Sequence, residues 1–202
     1  MATEIPRKGI ILLISGPAGS GKTTLCEKLI EEFDEIRRIV TATTRKPRKS
    51  ETHGTDYYFL KESEFLKKME EDAFYECARV HGRHYGTLKS EVHRQLESGY
   101  DVILNIDVQG AASFRKKAQA DEFLADRLIT VFIQPESLDV IRGRLLDRES
   151  DSNEEIERRL LSAKIEMEVA DEFHYILPTS TREHDYRIIS SIYLSEKHRV
   201  NL

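Results

Sequence analysis

Hydrophobic positions along the chain follow two alternating patterns. Short unbroken apolar runs mark buried parallel strands: GIILLIS at 9–15, VILNID at 102–107 and LITVFI at 128–133, with FHYILP at 173–178 a weaker example. Between them the apolar residues recur at helical spacing. In TLCEKLIEEF, Leu25, Leu29, Ile30 and Phe33 share one helical face. The same periodicity predicts helices over about 108–119, 136–148, 153–172 and 182–198. Strands alternating with helices imply an α/β fold, a mostly parallel sheet covered by helices.

Residues 38–98 break this rhythm. Short alternating runs such as DYYFL and FYECARV are separated there by charged helical stretches and glycine turns. The segment reads as an insertion forming its own small lobe between two core strands. An arginine-rich stretch near 144–159 is a second distinct region, and no internal repeat or low-complexity linker interrupts the chain.

Composition narrows the class. The 202 residues are 39% apolar and 33% charged, as expected of a soluble globular chain. No apolar run approaches the roughly 18–20 residues of a membrane span, and the start, MATEIPRKGIILLIS, lacks a cleavage pattern, so no signal peptide is expected. A formal net charge of −5 argues against broad nucleic-acid binding. The two cysteines, Cys26 and Cys77, have no paired spacing, which suits a reducing, cytoplasmic compartment. Cys26, within a predicted helix, reads as a small buried residue. His81 and His84 in HGRH have no carboxylate or thiol set to complete a metal site.

The sharpest local signal is GPAGSGKTT, comprising Gly16, Pro17, Ala18, Gly19, Ser20, Gly21, Lys22, Thr23 and Thr24. It follows a strand and opens a helix, the context that a phosphate-binding loop requires. Its glycines permit a tight turn whose N–H groups converge on phosphate oxygens, and the helix adds the positive end of its dipole. Lys22 is expected to reach the β- and γ-phosphates, and the Thr23 hydroxyl to ligate Mg²⁺. The reading is a nucleoside-triphosphate site.

ATPases, GTPases and small-molecule kinases all fit that loop. DVQG at 107–110 matches an Asp-x-x-Gly switch, yet no Asn-Lys pair is available to read guanine as a GTPase would. A kinase needs cations to hold an anionic acceptor and to neutralise the transferring phosphoryl group. Two arginine groups answer: Arg45 and Arg48 in TTRKPR, and Arg144 with Arg148 at i, i+4, followed by Arg159.

In order, GPAGSGKTT, TATTRKPRKSETHGTDYYF, FYECARVHGRHYGT, ILNIDVQG and RLLDR resemble guanylate kinases over nearly the whole chain. The resemblance implies a P-loop NTPase-type parallel-sheet core (about 1–37, 99–140 and 172–202), an inserted GMP-binding lobe (about 38–98) and a helical lid (about 141–171). It implies transfer of a phosphoryl group from ATP to GMP, and to dGMP, with Mg²⁺. By position, Arg45, Arg48, Tyr57 and Tyr85 fall on the GMP phosphate, with Gly86 permitting the turn and Thr87 adding a hydroxyl. Glu76 falls on guanine N1–H and the exocyclic amine, Thr41 on O6, and Asp107 at the end of the central strand near substrate and metal. Lys22, Arg45, Arg144, Arg148 and Arg159 are implied as the charge-neutralising catalytic set. Monomer and homo-oligomer are left undecided, since the apolar positions of the C-terminal helix do not choose between them, and neither membrane nor nucleic acid is an expected partner.

Three departures from the family pattern stand out. Asn105 replaces an acid, Asp147-Arg148-Glu149 replaces Gly-Arg-Gly, and ILPTS replaces a strand end in Asn-Asp. Two alternatives also follow: a catalytically inactive protein-binding module of the same family, and a kinase of another small phosphorylated acceptor.

Overall fold

The computed structural model describes residues 9–80, 82–146 and 152–199. In chain order the elements are β1 (Ile11–Ser15), α1 (Lys22–Glu32), β2 (Ile36–Arg38), β3 (Ala42–Thr43), β4 (Tyr58–Phe59), α2 (Glu62–Glu70), β5 (Phe74–Val80), β6 (Arg83–Leu88) and α3 (Lys89–Glu97). They continue with β7 (Asp101–Asn105), α4 (Val108–Ala118), α5 (Glu122–Ala125), β8 (Leu128–Gln134), α6 (Leu138–Leu146), α7 (Asn153–Met167), β9 (Tyr175–Pro178) and α8 (Arg182–Lys197). A single 3₁₀ turn, Ala170–Glu172, follows α7.

The larger sheet has five strands in the order β2-β7-β1-β8-β9, all parallel. Central β1 explains the unbroken apolar run, since alternate residues bury on opposite faces. Ile10, Leu12 and Ile14 join Leu25, Cys26 and Leu29 of α1 and Ile189 and Tyr193 of α8 in one core. Ile11 and Leu13 join Val92 of α3, Ala111 and Phe114 of α4 and Leu124 of α5 in the other. Pro178 is tolerated because it ends an edge strand, where its missing N–H leaves little of a ladder to break.

The smaller sheet, β4-β3-β6-β5, is mixed and lies within the stretch that departs from core periodicity. Phe65 of α2 stacks on Phe74 at 4.5 Å between ring centres, giving this sheet a core of its own with Ala42 and Leu88. A register shift in β5 between Phe74 and Glu76 inserts Tyr75 as an extra residue. Phe74 consequently serves the small core and Tyr75 the large one.

Helices α6 and α7 pack on each other through Ile141, Leu145, Ile156, Leu160 and Ala163. An ion pair between Arg142 and Glu157 fastens the same two helices. The chain leaves β1 toward β2 but leaves neighbouring β8 toward β9, so the winding direction reverses at the carboxyl ends of these strands. In open α/β sheets that is where ligands bind.

Candidate active site

The 16–24 loop rises from the end of β1. Gly16 has a φ of 139°, and a Cβ there would lie 2.5 Å from the carbonyl oxygen of Ile133 in β8. Only glycine fits both that backbone and that gap. Gly21 caps α1 in the left-handed region, so the chain turns directly into the helix. Lys22 Nζ donates to the carbonyls of Gly16 at 2.6 Å and Pro17 at 2.8 Å, lying along the loop it belongs to. Ser20 is buried, and its hydroxyl has no hydrogen-bond partner among the described residues. Such an orphan costs about 1–3 kcal/mol unless an incoming group satisfies it.

Thr23 and Thr24 stand exposed on the first turn of α1, beyond Gly19 and Ala18. Asn105, at the end of β7, donates to Thr23 Oγ1 at 3.1 Å. The replacement for the family acid is therefore in contact with the hydroxyl expected to meet Mg²⁺. That hydroxyl, a hard oxygen donor on the loop, suits a hard cation.

Arg144 reaches this loop from α6, donating from Nη1 to the Gly19 carbonyl at 3.0 Å. Arg159, on α7, donates from Nε to Glu155 at 3.0 Å. Arg148 lies outside the described residues, as do Asp147 and Glu149. Glu166 of α7 was not singled out from the sequence. It is half-buried, and burial pushes its carboxyl above the ordinary range, with Lys22 opposing and Asp107 adding to the shift.

A second cleft, of about 210 Å³, opens between the two sheets and is bordered by Arg38, Thr41, Tyr57, Glu76, Tyr85 and Asp107. Glu76 is 7% exposed. Thr87 donates to its Oε1 at 2.8 Å. Burial pushes the Glu76 carboxyl up to about 7, with the Thr87 bond pulling down and Asp107 pushing up. Gly86 makes this packing feasible, because a Cβ there would sit 2.9 Å from the Glu76 carbonyl oxygen. Asp107 caps α4, its Oδ1 accepting from Gly110 N at 2.8 Å.

On the side of the smaller sheet, Arg45 donates through both terminal nitrogens to Glu51, at 2.8 and 2.7 Å. Its guanidinium lies 5.4 Å from the centre of the Tyr57 ring, and Tyr57 meets Tyr85 edge-on at 6.1 Å. The paired guanidinium and the Arg48 backbone N–H hold the Glu51 carboxyl down at about 2. Arg48 itself is exposed. Tyr58 points elsewhere, donating to the buried Glu91 at 2.8 Å. His84 stacks on Phe65 at 5.3 Å, and His81 lies outside the described residues. Among the described residues no group of three His, Cys, Asp or Glu converges on a metal position.

The guanylate kinase family profile matches residues 7–196. The chain belongs to the guanylate kinase family. The guanylate kinase of Caldanaerobacter subterraneus subsp. tengcongensis is 38% identical over 198 residues, covering 98% of this chain and 93% of that protein. That of Clostridium perfringens is 39% identical over 194 residues, covering 96% and 87%. The crystal structure of guanylate kinase from Anaplasma phagocytophilum superposes with a TM-score of 0.71 at 28% identity, covering 97% of this chain and 90% of that one. The α/β fold is accordingly of the P-loop NTPase type, and a guanylate kinase activity goes with it.

Proposed function

We propose that this family member transfers the γ-phosphoryl group of ATP to GMP, and to dGMP, giving ADP and the nucleoside diphosphate. The observation that carries the acceptor assignment is Glu76, a buried carboxyl that accepts from Thr87 and borders the cleft. Guanine offers N1–H and its amino group side by side, matching two carboxylate oxygens. Adenine would turn a lone pair toward the same carboxylate, leaving buried polar groups unpaired at a cost of about 1–3 kcal/mol or more. Thr41 borders the cleft where a hydroxyl can donate to O6.

In this reading the strand-and-helix core carries ATP, the lobe of about 38–98 carries GMP, and α6–α7 form the lid. Loop amides and Lys22 take the ATP phosphates. Thr23 is the protein ligand to Mg²⁺, which neutralises phosphate charge when it arrives with ATP. Arg45, Arg48, Tyr57 and Tyr85 take the GMP phosphate, two guanidinium forks and two phenols suiting a dianion. Arg144, Arg148 and Arg159 stabilise charge on the moving phosphoryl group as the lid excludes water. Asp107 orients the acceptor with the oxygen that does not cap α4. No covalent intermediate is required. A cytoplasmic setting fits two cysteines that are both free and, among the described residues, the lack of any helix long and apolar enough to cross a membrane.

A coupled ADP-release assay with ATP and Mg²⁺, comparing GMP, AMP, UMP and no acceptor, tests the proposal. GMP-dependent turnover is expected, with Glu76→Gln losing the preference for GMP. Retained GMP binding without turnover on any acceptor would instead identify a binding module. Equal turnover on all three monophosphates would sink the guanine assignment.

A further inference from the structure

We infer that Arg38 is an additional substrate-binding residue, a cation on the core wall of the acceptor cleft that contacts the phosphate of the incoming monophosphate. The inference rests on the assignment of that cleft to GMP.

Arg38 is the last residue of β2, in register with Ile103 of β7, so a core strand fixes its backbone. Its side chain is exposed. It borders the 210 Å³ cleft, and also a neighbouring hollow of about 240 Å³ lined by Ile39, Val40, Thr55, Asp56 and Tyr57. Tyr57 borders both hollows too. Arg38 and the phenol assigned to the phosphate therefore share two cavity walls, which places the cation toward the phosphate end of the cleft. Glu76, walled in by Thr87 and Gly86, marks the base end.

The charges around Arg38 leave it available. Among the described residues it forms no ion pair. Asp56 is engaged with the Thr52 N–H at 2.7 Å, and Asp107 with Gly110 N. Asn105, which borders the same cleft, is neutral and turned to Thr23. Arg45, by contrast, is already gripped by Glu51. A dianion entering the cleft thus meets one committed guanidinium on the lobe and one uncommitted guanidinium on the core. Because pairing with β7 fixes its backbone, Arg38 is in place to engage the phosphate at encounter.

The test is calorimetric titration of GMP, and separately of guanosine, into ATP-free wild type and Arg38→Gln at two salt concentrations. Loss of one charge-assisted contact at an exposed site is expected to weaken GMP about tenfold. Guanosine affinity should hold, and the salt dependence of GMP binding should flatten. Arg38→Lys should recover part of the loss, and thermal melting would verify that each variant is folded. Unchanged GMP affinity in folded Arg38→Gln would overturn the inference, as would equal losses for GMP and guanosine. Wild type that binds no GMP would overturn the cleft assignment itself, and this inference with it.

Discussion

The side-chain amide of Asn105 donates a 3.1 Å hydrogen bond to Oγ1 of Thr23, joining the end of β7 to the first turn of α1. The bond restrains a hydroxyl rotor that would otherwise be free on an exposed residue. It does so without adding charge beside the expected cation. Asn105→Ala should therefore raise the Mg²⁺ concentration for half-saturation about two- to threefold, the loss of one neutral hydrogen bond. Asn105→Asp should lower it by a similar factor, through an added negative charge. Fluorescence titration of Mg²⁺ with a labelled ATP analogue reads both. Identical curves for the three proteins would show that the contact has no bearing on the metal.

Glu76 links base recognition to pH. A carboxyl lifted to about 7 is partly protonated at neutral pH, and only the ionised form offers both oxygens to guanine. The KM for GMP should fall as pH rises from 6 to 8, and GMP binding near pH 7 should release protons. Calorimetry in buffers of different ionisation enthalpy measures that release. A flat KM across this range would contradict the assignment.

The same shift has a cost in stability. An acid whose folded pKa exceeds its unfolded value destabilises the fold as pH rises from about 4.5 through 7, and the penalty is complete above that window. Glu76→Gln keeps an acceptor for Thr87 and removes the buried charge. It should gain on the order of 1–3 kcal/mol at pH 8, and little at pH 4, in urea unfolding.

Glu51 occupies Arg45 without exhausting it. Two donors go to Glu51 and one to the Lys46 carbonyl, out of the five a guanidinium carries. Glu51 thus orients the fork for a phosphate rather than blocking it. Glu51→Gln should raise the KM for GMP about tenfold while changing kcat less, as loss of substrate positioning predicts. A lower KM would mean that Glu51 competes with the phosphate instead.

Asp72 links helices α3 and α4. It accepts from Lys89 of α3 at 2.6 Å and from Lys117 of α4, in a left-handed backbone with φ of 51°. Asparagine tolerates that backbone whereas alanine does not. Asp72→Asn should cost at most about 1 kcal/mol, as befits exposed ion pairs, and Asp72→Ala roughly 1 kcal/mol more. Chemical denaturation of both variants separates the charge from the backbone contribution.

Strands β1, β7 and β8 are legible as apolar runs because each is buried on both faces of a parallel sheet. The smaller sheet is harder to read. β3 and β4 are two residues each, too short for alternation to register, and the β5 bulge shifts the pattern between Phe74 and Glu76. Helix α7 ends at Met167 rather than running on to 172, because a separate 3₁₀ turn follows. At the candidate site, residues within short motifs could be named by position. The pairing of Arg45 with Glu51, the exposure of Arg38 at the end of β2, and the approach of Glu166 to the charges of Lys22 and Asp107 could not. Those depend on through-space distance, which spacing along the chain does not encode.

Asp101, at 2% exposure, accepts from Ile10 N at 2.9 Å and from the Tyr193 hydroxyl at 2.6 Å. These partners lie 91 and 92 residues away in opposite directions along the chain. A carboxylate so deeply enclosed is tolerable only when both donors are in place. Its burial makes completion of the large sheet conditional on α8. Among the described elements α8 is made after every strand, yet it supplies a donor on which the buried start of β7 depends.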